Sequence, residues 1–511
     1  MPPRRSYPVR SPIRSPVRSP IRFPVLGTVT PLTSLLLLLS FSIFFIPHPY
    51  ISTDFYVHRN WLAITHNKKI EDWYIDETDN VNTPDYPPMF MGFEWVLGKI
   101  FDLIPSSLVS SNCVSVLSFP DALDQTTQSC ITIHRLSTLT VYFFLYVPTI
   151  FYISPSSSPA PHLILNFGLL FLDLIHFQYN TLIYTFYLLS LHSLQTKKWS
   201  ASCVAFCILL NLKHLYVYIA PIFLLHILSS HVFLPHPSLP KFLKIASVTL
   251  SFLLPPWLPF LPSLPKIFTR LFPFHRGLIH SYWSPNLWSL YIFLDRILFH
   301  LSKPLNLQPK ITKGGTSGLV TSDLFTILPP IPASLCMLLI LLFSTPILIK
   351  LYKRKIKPIP CAILLMYNVY MLGYHIHEKS IINVLILLPF IDIEGGLEKV
   401  FVGNGWASLA PIWGGGNRGV KVLTFFMGWR FYGREGGGRG KYYFIEGFIV
   451  FYVLAAEGIE VVGWAGEGTR LEFLPTMIYS VCGAVVNFCL WGDLWRACMK
   501  EQTSVTIKKD D

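Results

Sequence analysis

The feature that most constrains this chain is a series of long stretches without Asp, Glu, Lys or Arg. They fall at 23–53, 136–172, 174–196, 214–240, 245–265, 324–349, 358–377 and 473–492. A helix needs about 20 apolar residues to cross about 30 Å of hydrocarbon. It also satisfies its own backbone hydrogen bonds, which lipid cannot do. The chain therefore reads as an all-α polytopic membrane protein. Aromatic residues make up 15% of it, enough buried apolar surface to exclude intrinsic disorder.

A formal charge of +13 invites a nucleic-acid reading, but its distribution argues against one. Arg4, Arg5, Arg10, Arg14, Arg18 and Arg22 crowd the start, and Lys197-Lys198 and Lys353-Arg354-Lys355 sit in short connectors. Such short basic segments mark the cytosolic side of a membrane protein. A nucleic-acid face would instead gather its bases on one folded domain. The nine cysteines show no zinc spacing. Cys113 and Cys130 share a long polar loop, and the sequence does not decide whether they pair.

Propagating the topology from a cytosolic start divides the chain. Residues 1–24 are a basic tail with three SPxR repeats at 11–22, read as a solvated tail, with a targeting leader as the alternative. Residues 25–394 form the membrane region. Its first span, about 25–47, leads to a lumenal loop at 48–135, and further spans lie near 136–154, 162–175, 181–195, 201–212, 215–233, 245–262, 324–349 and 358–374. Residues 286–301 read as an interfacial helix, because Asp295-Arg296 is costly at the bilayer centre. Residues 395–472 are glycine-rich, with GGG at 414–416 and 436–438. They are expected to make a poor core, as a flexible insert or a mistranslated stretch. Residues 473–511 hold a last span and a tail ending Lys508-Lys509-Asp510-Asp511, which has the K-K-x-x form of an endoplasmic-reticulum retrieval signal read from the cytosol.

This topology gathers the polar, aromatic-rich motifs on the lumenal side. They are STDFYVHRNW (52–61), PDYPP (84–88), HFQYN (176–180), LKH (212–214), RLFPFHRG (270–277) and HIHEK (375–379). An enzyme acting on a lipid-anchored substrate needs such a polar site at one leaflet. A loop carboxylate such as Asp54 suits a general base. Arg270, Arg276, His375, His377 and Lys379 offer donors for phosphate. Asp85, His176, Gln178 and Asn180 offer groups for an acceptor sugar, or for a tight turn. Trp61 and Trp73 read equally as membrane-interface anchors or sugar platforms.

These motifs, in this order, resemble the dolichyl-phosphate-glucose-dependent α-1,3-glucosyltransferases of N-glycan precursor assembly, over about residues 45–390. DFYVHRNWLAIT and HSYWSPN are more similar to the enzyme adding the second glucose than to that adding the first. The resemblance implies a multi-spanning GT-C-type glycosyltransferase of the endoplasmic-reticulum membrane, its site facing the lumen. It also implies metal-independent, inverting transfer from dolichyl phosphate glucose to a dolichyl-diphosphate oligosaccharide, without a cofactor. Asp54 matches the family's catalytic carboxylate, whereas Tyr56 stands where relatives carry a glutamate. His377 matches the histidine approaching the donor phosphate, with His375 and Lys379 beside it.

Two other classes stay open. A transporter would place its binding residues near the midplane, often with repeated halves; no internal repeat is visible, and the ionisable residues gather at one face. A non-catalytic relative is the third reading, prompted by 395–472.

Overall fold

The computed structural model describes residues 50–75, 82–105, 126–154, 159–280, 282–302, 327–412, 440–463 and 471–500, with a few isolated positions between them. The SPxR tail, most of the first span and the Lys508–Asp511 motif lie outside the described residues. Helices dominate, as expected. Among the described residues the only strands are Thr312–Lys313 and Leu324–Phe325, an antiparallel pair.

Two helices of the loop after the first span come first: α1, Thr53–Asn67, and α2, Pro88–Phe101. Ser52 caps α1 by accepting from Phe55 N at 3.1 Å, satisfying one of the orphan donors of a helix start. The two helices are tied by a buried His58–Glu94 pair at 2.8 Å. Trp61 and Trp73 are neither interface anchors nor open platforms: both are buried. Trp61 Nε1 and Asn60 Nδ2 donate to the Asn82 carbonyl, so the aromatic face holds the loop to itself. Cys113 and Cys130 form a disulfide, with Cα atoms 5.5 Å apart.

The remaining helices follow: α3 (Gln128–Ile153), α4 (Pro159–Ile175), α5 (Asn180–Gln195), α6 (Trp199–Leu212), α7 (His214–Val232), α8 (Leu239–Leu253), α9 (Pro255–Leu271), α10 (Leu287–Ser302), α11 (Ala333–Tyr352), α12 (Pro358–Leu372), α13 (Gly395–Ala407), α14 (Gly440–Val461) and α15 (Leu474–Lys500). By length and composition α3, α7, α11 and α15 can each cross a bilayer, and so can α8 with α9 as one span bent by 54°. Helices α4, α6 and α12 are apolar but shorter. Every residue of α12 is buried, which is why it reads apolar on all faces. By contrast α8 buries no residue, and Leu338, Leu341 and Leu342 of α11 are exposed, as helix faces turned to lipid should be.

Asp295 on α10 is buried, and its Oδ1 accepts from Ile327 N and Leu328 N at 2.8 and 2.7 Å. Backbone donors thus offset the desolvation that the sequence flags at this position.

The expectation of a poor core from 395 onward does not hold for the described residues. Almost all of α13 is buried. Its glycines permit close approach: a Cβ at Gly403 would collide with the Trp429 ring, and one at Gly405 would stand 2.6 Å from Leu385 Cδ1. Between them Asn404 donates to Gly483 O and Asn487 Oδ1 and accepts from Tyr452. Asn487 in turn donates to Pro285 O at 2.8 Å. Glycine here is a packing choice, and the polar network ties α13, α14 and α15 to the strap at 274–286.

Candidate active site

Asp54, in the first turn of α1, is the focus of the polar end of the bundle. Lys379 Nζ lies 2.7 Å from its Oδ2 and His176 Nε2 3.1 Å from the same atom. Gln178 Nε2 also donates to Oδ2. Three donors therefore clamp one oxygen, and Oδ1 receives none of the three. Burial pulls the Asp54 carboxyl upward, but the charges of Lys379 and His176 outweigh it and hold the group well below the usual carboxylate range. Lys379 correspondingly is held above the ordinary lysine value against its own burial.

His176 and Gln178 come from the turn between α4 and α5. Asn180 opens α5, and its Nδ2 donates to Gln178 Oε1 at 2.6 Å and to Asp173 Oδ1 at 3.0 Å. His176, Gln178 and Asn180 thus turn polar atoms toward Asp54 and Asp173, the Tyr179 hydroxyl pairs with Ser137 at 2.7 Å, and His176 Nδ1 has no hydrogen-bond partner among the described residues. Tyr56 is buried in the aromatic core, its ring edge-on to Phe55 at 5.7 Å.

The second half of the site is a histidine cluster. The 274–286 strap pairs with the HIHEK segment through an Ile279–Ile376 bridge, a His375 N–H bond to Leu278 O at 2.7 Å and a Ser284 bond to Ile376 O. His375 Nδ1 donates to Gly277 O at 3.0 Å. The His280 ring stacks on His377 at 3.9 Å, and its Nδ1 lies 3.3 Å from Glu378 Oε2. Burial and the neighbouring His280 lower His375 to about 4. Burial, with His280 and Lys379 nearby, lowers His377 too. Both rings are therefore neutral at pH 7, each with a single N–H; that of His375 is already given to Gly277 O.

Phe177 (φ 65°), Trp283 (φ 51°) and His375 (φ 53°) adopt the left-handed conformation, at about 1–2 kcal/mol for a residue with a Cβ. All three border this site, where packing over-determines the backbone, as with Phe177 wedged against Phe55 at 5.2 Å.

Asp85 pairs with Arg276 at 3.4 Å, and burial raises its carboxyl despite that partner. Arg270, at the end of α9, lies within electrostatic reach of Tyr74, whose hydroxyl donates to Tyr86 O. Lys213 places its ammonium 5.2 Å from the centre of the Tyr86 ring. Burial lowers it to about 8 although Asp54, Asp85 and Asp173 pull the other way. Three participants were not singled out from sequence: Lys213 and His280 lay inside quoted motifs, and Asp173 had no motif signal.

His280, His377 and Glu378 are the described group with donor atoms close enough for a metal ion, within 4.8 Å of one another. The His280 and His377 rings, however, are stacked with their planes only 24° apart, so their lone pairs lie in near-parallel planes that do not meet at bonding distance, whereas a zinc-type site needs convergence.

The arrangement is a half-buried carboxylate with one oxygen held by Lys379, His176 and Gln178, beside a bank of imidazoles and an arginine. A sequence model of the ALG6, ALG8 glycosyltransferase family matches residues 32–494. The chain belongs to that family. Among relatives, a Drosophila melanogaster protein named "Probable dolichyl pyrophosphate Glc1Man9GlcNAc2 alpha-1,3-glucosyltransferase" is 33% identical over 486 residues, 86% of this chain and 89% of the relative. Proteins carrying that name without "Probable" are 35% identical in Neurospora crassa (71% of this chain, 75% of the relative) and 30% identical in Saccharomyces cerevisiae (71% and 70%). The ALG6, ALG8 match includes α13 and α14 as well as Asp54 and the HIHEK segment.

Proposed function

We propose that the chain transfers glucose from dolichyl phosphate glucose to a dolichyl-diphosphate-linked oligosaccharide that already carries one glucose. The new bond is α-1,3, formed with inversion at the lumenal face of the endoplasmic-reticulum membrane. The observation that carries the reading is the one-sided clamp on Asp54 beside the histidine cluster. The second-glucose step is favoured by the DFYVHRNWLAIT and HSYWSPN strings and by the names of the relatives.

In this reading the acceptor hydroxyl approaches Oδ1 of Asp54. Its oxygen attacks the anomeric carbon of the β-linked donor while its proton passes to the carboxylate. The bond from the anomeric carbon to the phosphate oxygen breaks, and dolichyl phosphate departs with that electron pair. Its charge grows from one to two negative units as the bond breaks. Donors aimed at developing charge in a dry site contribute most to catalysis; we assign that task to His377 and Arg276, with His375 held beside them by its bond to Gly277 O. His176, Gln178 and Lys379 hold the base ionised and oriented. Asp85 is left for the acceptor sugar, and Arg270 for the phosphate end or the headgroup region.

Expression in cells lacking the second-glucose transferase tests the choice of acceptor. Fully glucosylated lipid-linked precursor is expected; rescue only of cells lacking the first-glucose enzyme would reverse it.

A further inference from the structure

Asp173 lies in the last turns of α4, fully buried, and does not reach Asp54 itself. Its Oδ2 accepts from Thr181 N at 2.8 Å, and its Oδ1 from both Asn180 N and Asn180 Nδ2 at 3.0 Å. The two backbone bonds cap the start of α5. The third bond does something a cap does not need. It makes the Asn180 amide turn its NH2 toward Asp173, because an ionised carboxylate only accepts. The same NH2 then donates to Gln178 Oε1 at 2.6 Å, so Gln178 must point its oxygen at Asn180 and its own NH2 at Asp54. An amide whose orientation is left open could equally present oxygen to the Asp54 carboxylate, which would repel it.

We infer that Asp173 is a positioning residue for the transfer reaction, fixing through Asn180 and Gln178 which way the last amide faces Asp54. This rests on the reading of Asp54 as the general base. Replacing Asp173 by asparagine keeps the shape but supplies an NH2 that competes with that of Asn180. The chain of donations then loses its fixed direction, and an acceptor can face Asp54.

The test is steady-state kinetics in microsomes, with Asp54→Asn as control. Asp173→Asn is expected to lower kcat about tenfold to a hundredfold, the effect of one misdirected hydrogen bond to a charge, with KM for both lipid substrates unchanged. Asn180→Ala leaves both backbone caps to Asp173 in place, so it should reproduce the kcat loss without loss of protein. It decides the matter if Asp173→Asn fails to accumulate. Gln178→Leu removes the last link, and adding Asp173→Asn to it should cost no further activity. Full kcat in Asn180→Ala, or losses from Asp173→Asn and Gln178→Leu that multiply, would overturn the inference while leaving Asp54 as base. Normal turnover in Asp54→Asn would instead remove the reading beneath it.

Discussion

Lys379 is the residue whose replacement separates two roles that sequence alone assigns to one side chain. Read from its motif, it binds the donor phosphate; in the structure its ammonium sits 2.7 Å from Asp54 Oδ2. It is the foremost of the groups that pull the Asp54 carboxyl down against burial. A hydrogen bond to a charged group contributes about 1.5–3 kcal/mol, and one pKa unit corresponds to about 1.36 kcal/mol. Lys379→Met should therefore raise the Asp54 carboxyl from its depressed position, because burial then meets less opposing charge. The sign follows directly. The wild-type base is ionised at every pH above its depressed value, so activity is lost only well into acid. In Lys379→Met, protonation sets in earlier, and the acid limb of kcat moves to higher pH. The assay is the pH profile of glucose incorporation at saturating donor, with Lys379→Arg as the charge-preserving control. An unshifted acid limb, with loss confined to donor KM, would refute the pairing argument and restore the phosphate role.

Other outcomes follow from the same geometry. His377→Ala and His280→Ala should each raise the KM for dolichyl phosphate glucose well above any change in acceptor KM, because the rings stack at 3.9 Å as one unit; equal loss for both substrates would mark a structural role. EDTA should leave activity unchanged, since the stacked rings do not converge on an ion; inactivation by EDTA reversed by zinc would contradict this. Cys113→Ser should lower thermal stability in detergent, by about 3 kcal/mol for a loop of this size, and mass spectrometry without reductant should find the Cys113–Cys130 peptide. Gly403→Val should abolish accumulation of folded protein, because its side chain meets the Trp429 ring; normal yield would mean that α13 is not part of the core.

The membrane class was legible because absence of charge over 20 residues is a one-dimensional property. So were Asp54 and the HIHEK segment, whose chemistry is written in consecutive residues. What escaped was set by contacts distant in sequence. Asp173 carries no motif, and its task appears only when the α4–α5 turn folds back on it. His280 becomes part of the site because a backbone bridge brings the strap against Ile376. The glycines of α13 read as breakers because a sequence shows the missing side chain but not the Trp429 and Leu385 groups that fill its place. Polarity offers His176, Gln178 and Asn180 to a sugar or to a tight turn; their spacing cannot show that they direct polar atoms to Asp54 and Asp173.

The central claim is that Asp54 takes the proton from the acceptor during glucosyl transfer. The most direct test is single-turnover transfer in detergent, with purified protein, radiolabelled dolichyl phosphate glucose and the monoglucosylated lipid-linked oligosaccharide. The account predicts conversion to the diglucosylated product by the wild type. Asp54→Asn should bind the donor with similar affinity but react about 100- to 10,000-fold more slowly, the range for loss of general-base catalysis. Conversion by Asp54→Asn at the wild-type rate would contradict it.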